Sequence, residues 1–191
     1  MAHKEQLQFL TELRNIVSSK RKLSDINILE IGSYEVNASI RDIFKGTEYL
    51  GIDLLDGPGV DMVMNGEDIR KLNNKFDIVI SSECFEHAVN WKKIFFAMID
   101  CVKDNGIIII NVPNCEFSIK NGDISMAIHQ HVNMFDRWSL KRVVEKSGLN
   151  VVRMDYSKFG SAIFCVAMKS KKKKLKAISI NEKFYNNFFK K

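Results

Sequence analysis

The sequence predicts an α/β fold. It is a three-layer sandwich around a mostly parallel, seven-stranded sheet, with one antiparallel strand in a C-terminal hairpin. Three observations carry this expectation. Short apolar runs alternate with segments of helical periodicity from residue 26 to residue 147. The runs at 76–81 and 107–112 are almost wholly apolar, as strands covered on both faces are. The last two runs, 151–156 and 162–168, lie close enough together to form a hairpin.

The elements follow in order. Phe9, Leu10, Leu13, Ile16 and Val17 recur at helical spacing, which predicts an amphipathic helix over about residues 4–20. A short basic linker follows at 18–24, then a buried strand at 26–31. A helix is expected at 36–44, with Ile40, Ile43 and Phe44 inward, and a second strand at 48–53. Gly57, Pro58 and Gly59 mark a turn. A short third strand is expected at 60–64 and a fourth at 76–81. A helix at 91–102 should close at Lys103, Asp104, Asn105 and Gly106, before a fifth strand at 107–112 that Pro113 ends. Residues 114–133 read as a long polar segment, and 138–147 as a helix stopped by Gly148.

At 191 residues the chain has the length of one domain with a sizeable core. We expect that domain at 1–168 and a tail at 169–191. The net charge of +6 belongs to the tail, where nine lysines meet one acid, Glu182. Residues 1–168 hold 20 Lys and Arg against 22 Asp and Glu, so no basic groove for nucleic acid is expected in the domain. The tail, with Phe184, Tyr185, Phe188 and Phe189 among its lysines, is a candidate for contact with a second subunit or an anionic surface. No apolar run approaches a transmembrane length, and residues 1–20 lack a signal-peptide core. Cys84, Cys101, Cys115 and Cys165 are widely spaced, which suits reduced thiols and a cytoplasmic location.

The most informative stretch runs from Asn27 to Asp53. A buried strand ends at Gly32, a turn leads into a helix, and a second strand ends in Asp53, 21 residues after the glycine. That is the layout of a Rossmann-like nucleotide-binding unit. The glycine lets backbone approach the ligand, and the carboxylate accepts hydrogen bonds from ribose hydroxyls. Gly32, Asp53, Asn65, Ser82, Glu83 and Asn114 all fall at predicted strand ends, the edge where such sheets bind ligands.

Leu29-Glu-Ile-Gly-Ser33, Gly51-Ile-Asp53, Phe76-Asp-Ile-Val-Ile-Ser-Ser-Glu83 with Glu86-His87, and Gly106-Ile-Ile-Ile-Ile-Asn-Val-Pro113 follow one another along the chain. In that order and spacing they resemble the class I S-adenosylmethionine-dependent methyltransferases, of the small single-domain bacterial type. The resemblance covers roughly residues 25–168. It implies S-adenosylmethionine as cofactor and S-adenosylhomocysteine as product. It further implies that Glu30 faces the methionine amino group, that Gly32 and Ser33 pass beneath the cofactor, and that Asp53 holds the ribose. Asn65 and Gly66 would read adenine, with Asp68 a neighbouring candidate, and Ser82 and Glu83 would lie beside the transferred methyl. The family's G-x-G-x-G is replaced here by Gly32 followed by Ser33, Tyr34, Glu35 and Val36, a Gly-Ser-x-x-Val-Asn variant. Backbone amides at a helix N-terminus near Asn37 are then the expected holder of the methionine carboxylate.

His87 and His131 are the candidate catalytic or substrate-facing residues, with His129 the weaker alternative. An imidazole titrates in the range where it can take a proton from a hydroxyl or amine. The bland alternatives are a helix cap for His87 and a packing role for one of the later histidines. Glu83-x-x-x-His87 has the spacing of a metal pair, but no metal is expected. The function expected is methyl transfer to a small polar metabolite, such as a sugar or surface-glycan precursor. The alternatives are an RNA or protein methyltransferase steered by the basic tail, and a non-catalytic binding or scaffold subunit on the same fold.

Overall fold

Alternation along each strand decides which layer a residue joins. In β4 (Phe76–Ser82) Ile78 and Ile80 point to one face of the sheet, while Val79 points to the other; all three are fully buried. The computed structural model describes residues 4–36, 39–124, 130–156 and 161–169. Before β4 come β1 (Asn27–Ile31), β2 (Glu48–Asp53) and β3 (Met62–Val63). After it come β5 (Val102–Pro113), β6 (Asn150–Asp155) and β7 (Ala162–Met168). The seven strands lie in the order β3-β2-β1-β4-β5-β7-β6, with β7 antiparallel to both of its neighbours and the others parallel. This is the expected mostly parallel sheet with one reversed strand in a terminal hairpin.

One face carries α1 (Lys4–Ser18) and the short α2 (Ile40–Ile43). Phe9, Leu10, Leu13 and Val17 form the buried stripe of α1, and Phe9 stacks on Phe164 of β7 with ring centroids 4.8 Å apart. Arg153 of β6 binds Glu12 of α1 at 2.8 Å and lies over the Phe9 ring. The other face is covered by α3 (Trp91–Cys101), by a 3-10 segment at Gly66–Leu72 and by α5 (Arg137–Lys146). Asp136 caps α5 by accepting from the amides of Trp138 and Ser139.

At the edge away from the site, Asp77 joins three segments. It accepts hydrogen bonds from Lys103 at 2.8 Å, from the Asn27 amide at 3.0 Å and from Arg21 at 2.9 Å. Burial alone would raise its carboxyl, but these three donors outweigh that and hold it below the ordinary carboxylate range.

Several boundaries differ from expectation. The helix expected at 36–44 is described only at Ile40–Ile43, because Ser39 accepts from the Asp42 amide and starts it there. The fifth strand begins at Val102, which pairs with Phe76 across a register shift, so the charged stretch read as a turn is its first third. The third strand is only Met62–Val63. The polar segment after β5 contains a six-residue helix, α4 (Cys115–Lys120). Asn37, His129 and the tail from residue 170 lie outside the described residues.

Candidate functional site

Every strand-end candidate stands at the carboxyl edge of the sheet. Gly32 leaves β1 with a φ of +80°, a backbone that an L side chain rarely adopts. A Cβ there would also come within 3.0 Å of the Cys84 Cβ, so the turn needs glycine twice over. The amides of Gly32 and Ser33 both donate to the Ile52 carbonyl, at 2.9 and 3.0 Å, tying this turn to β2. Ser33 turns its hydroxyl toward Gly51, where an added Cβ would come 2.8 Å from it.

A cleft opens beside this turn, lined by Glu30, Gly32, Ser33, Tyr34, Ser82 and Glu83. Glu30 is buried, and its Oε2 accepts from the Tyr49 hydroxyl at 2.6 Å. Burial pushes its carboxyl up to about 7, although Tyr49 and Arg41 both pull the other way. Asp53 ends β2. Its Oδ2 accepts from the Tyr34 amide at 3.3 Å and its Oδ1 from the Leu55 amide at 3.1 Å. It stands next to Tyr34 rather than on the wall of the Glu30 cleft. Asn65 and Gly66 open the 3-10 segment. The Asn65 Oδ1 caps it by accepting from the Glu67 amide at 2.9 Å. Gly66 packs so closely on Ile31 and Ile94 that a Cβ would lie 2.9 Å from the first. Asp68 is engaged with Lys71 at 2.9 Å on the surface.

The end of β4 forms the second half of the site. Ser82 is buried and Asn111 of β5 lies 3.0 Å from its Oγ. With its amide nitrogen turned toward Glu83, Asn111 donates to Glu83 Oε1 and to Ser82 Oγ at 3.0 Å each. Glu83 holds a left-handed backbone, φ +48°, a strained conformation for a residue with a side chain. Burial pushes both the Glu83 and the Glu86 carboxyls upward, and the charge of Glu83 adds to the effect on Glu86. Cys84 is held as a thiol, its pKa pushed by burial up to about 12.

His87 does not cap the helix that follows it. Its Nδ1 pairs with the Gln130 carbonyl at 3.0 Å, and its ring meets that of His131 with centroids 4.9 Å apart. Glu86, His87 and His131 thus form one group at the end of the sheet. His131 also lines a second cavity of about 230 Å³, walled by Glu83, Asn111, Ser118, Asp123 and Phe164 among others.

Sequence reasoning missed Gln6. It is buried, its side-chain amide donates to Ser82 Oγ, and it lines both the Glu30 cleft and the second cavity. Its signal was a polar residue on the apolar stripe, one turn before Phe9 and Leu10. Asn111 was missed as well, although it was the one polar residue in an otherwise apolar strand core.

Residues 1–154 match the model of a family described as a methyltransferase domain. The chain therefore belongs to that family, whose members are class I S-adenosylmethionine-dependent methyltransferases. S-adenosylmethionine is the cofactor of this class. Three solved structures are similar in fold. The Burkholderia thailandensis 1,6-didemethyltoxoflavin-N1-methyltransferase, with bound 1,6-didemethyltoxoflavin and S-adenosylhomocysteine, is 12% identical with a TM-score of 0.63, over 86% of this chain and 78% of that one. Magnesium protoporphyrin IX methyltransferase from Synechocystis PCC 6803, with bound S-adenosylhomocysteine, is 12% identical with a TM-score of 0.61, over 89% of each chain. The CurJ carbon methyltransferase is 12% identical with a TM-score of 0.61; the alignment covers 85% of this chain and spans 54% of that one. A search of curated proteins finds no match. No helix among the described residues is long and apolar enough to cross a membrane.

The donor set at the sheet edge fits the cofactor. A buried carboxylate at the cleft, Glu30, suits a cationic amino group. A carboxylate ending β2, Asp53, keeps lone pairs beyond the two amides it already accepts.

Proposed function

We propose that this chain transfers the methyl group of S-adenosylmethionine to a small polar acceptor held in the cavity beside His131. The observation that carries this reading is the adjacency of the two spaces: Gln6 and Glu83 line both the Glu30 cleft and the second cavity. In this assignment Glu30, Gly32, Ser33, Asp53, Asn65 and Gly66 hold the cofactor. Ser82 and Glu83 flank the sulfonium methyl, and His131 and His87 face the acceptor. The sulfonium supplies the leaving group. What the protein adds is alignment of acceptor, methyl and sulfur. His131 would take the proton of an acceptor that arrives protonated.

The polar lining of the second cavity, with Asn111, Ser118, Asp123 and Ser161, favours a hydroxyl-bearing acceptor such as a sugar or glycan precursor. Domain limits of 1–168 and 169–191 and a cytoplasmic setting accompany this reading. The test is release of S-adenosylhomocysteine when the chain is incubated with S-adenosylmethionine and a panel of sugars and nucleotide sugars. Turnover that depends on one of these acceptors is expected. Turnover only with RNA or protein would replace this acceptor class with the alternative one.

A further inference from the structure

The group formed by Glu86, His87 and His131 has a feature that methyl transfer alone does not explain. The Glu86 side chain is only 1% exposed; its oxygens meet no donor in standard hydrogen-bond geometry, and its close neighbour is another acid, Glu83. Two buried carboxyls side by side cannot both ionise without a nearby positive charge: they stay protonated, or a cation joins them. His87 Nε2 stands 3.7 Å from Glu86 Oε1, beyond hydrogen-bonding distance. One ligand atom from each of the three residues lies within 4.8 Å of the others.

We propose that Glu86, His87 and His131 bind a divalent transition-metal ion. The donor set is two imidazoles and one carboxylate, which suits zinc, manganese, iron or cobalt better than calcium or magnesium. The remaining contacts are those of a built site. The Gln130 carbonyl, 3.0 Å from His87 Nδ1, holds the proton on that nitrogen and leaves the Nε2 lone pair for the metal. The Glu86 carbonyl accepts from the Val132 amide at 2.9 Å and the Asn133 amide at 3.1 Å. The Asn133 side chain donates to the carbonyls of Phe85 at 2.9 Å and Ala88 at 2.8 Å. These bonds fasten the segment carrying His131 to the turn carrying Glu86 and His87, so the three ligands are brought together before any ion arrives.

Three protein ligands leave coordination positions open. Of the three ligands His131 lines the second cavity, so the site borders the space assigned to the acceptor. An acceptor oxygen bound there would lose its proton more readily, and His131, its lone pair given to the ion, would act as ligand in place of proton acceptor. This use rests on the methyltransfer reading above; the existence of the site does not.

The test is titration of the apo full-length chain with Co²⁺, read by its visible d–d absorption. Glu86→Gln, His87→Ala and His131→Ala variants are titrated alongside, with circular dichroism to confirm that each is folded. Saturation at one ion per chain, lost in folded variants of the three ligands, is the expected result. A chain that develops no bands, or bands that persist in the folded His131→Ala variant, overturns the site. S-adenosylhomocysteine binding, measured separately, distinguishes that failure from failure of the cofactor assignment.

Discussion

Glu30 is where burial and ligand chemistry meet most directly. Its carboxyl lies at about 7 against an ordinary 4.5, first because it is buried and then with contributions from Tyr49, Arg41, Glu35 and Asp53 of opposing sign. An acid raised in the folded state favours its protonated form. The apo protein should therefore lose stability as pH climbs from 4.5 through about 7. Cofactor binding runs the other way, since a cationic amino group prefers the ionised carboxylate. We expect the Kd for S-adenosylhomocysteine to fall as pH rises through about 7 and then to level off. Glu30→Gln should flatten that profile and weaken binding by roughly 10- to 100-fold, the equivalent of a charge-assisted hydrogen bond worth about 1.5–3 kcal/mol. Calorimetry at several pH values measures both effects. At this scale much was legible: Glu30, Gly32, Asp53 and Ser82 each sit at the strand end where their neighbours in sequence put them. Glu86 was read only as part of a motif. Its meaning depends on Val132 and Asn133 folding back onto its carbonyl, a contact across more than 40 residues that no local pattern encodes.

Among the elements, those with a continuous apolar pattern were readable and those without were not. β1, β4 and the core of β5 announce themselves as apolar runs. α4 does not, because Phe117 and Ile119 are exposed and leave no stripe to read. The start of β5 was hidden by Lys103, Asp104 and Asn105, whose composition is that of a turn. Asn105 does take a turn-like φ of +64°, but within a strand. Lys103 is there in part to reach Asp77. That carboxylate links the turn after α1, the start of β1 and the start of β5. Replacing it by asparagine removes the negative charge that Arg21 and Lys103 share, although Arg21 keeps its bond to the Asp25 carbonyl. We expect Asp77→Asn to cost on the order of 3 kcal/mol in urea unfolding. Its folded pKa is lowered, so the stability it contributes is present above the ordinary carboxylate range near 3.8 and is lost as pH falls below it. The variant should show less of this acid sensitivity.

For the whole molecule, we propose a division between a nearly neutral domain, residues 1–168, that carries the assigned site and a lysine-rich tail that does not. All assigned cofactor and acceptor residues fall before residue 169. Removing 170–191 should therefore leave S-adenosylhomocysteine affinity unchanged within about twofold, a difference of about 0.4 kcal/mol. A larger loss would make the tail part of the binding fold. A salt-sensitive gel shift with RNA that disappears on truncation would point to the tail-steered alternative. The scaffold alternative fails if the cofactor binds and turns over.

The measurement that bears most directly on the account is calorimetric titration of the intact chain with S-adenosylhomocysteine, with NAD and an Asp53→Ala variant as controls. S-adenosylhomocysteine should bind 1:1 with micromolar affinity, NAD should not bind, and the variant should bind at least about tenfold more weakly, since each ribose hydrogen bond to a carboxylate is worth about 1.5 kcal/mol or more. Absence of binding by the intact chain, or equal binding by Asp53→Ala, would contradict it.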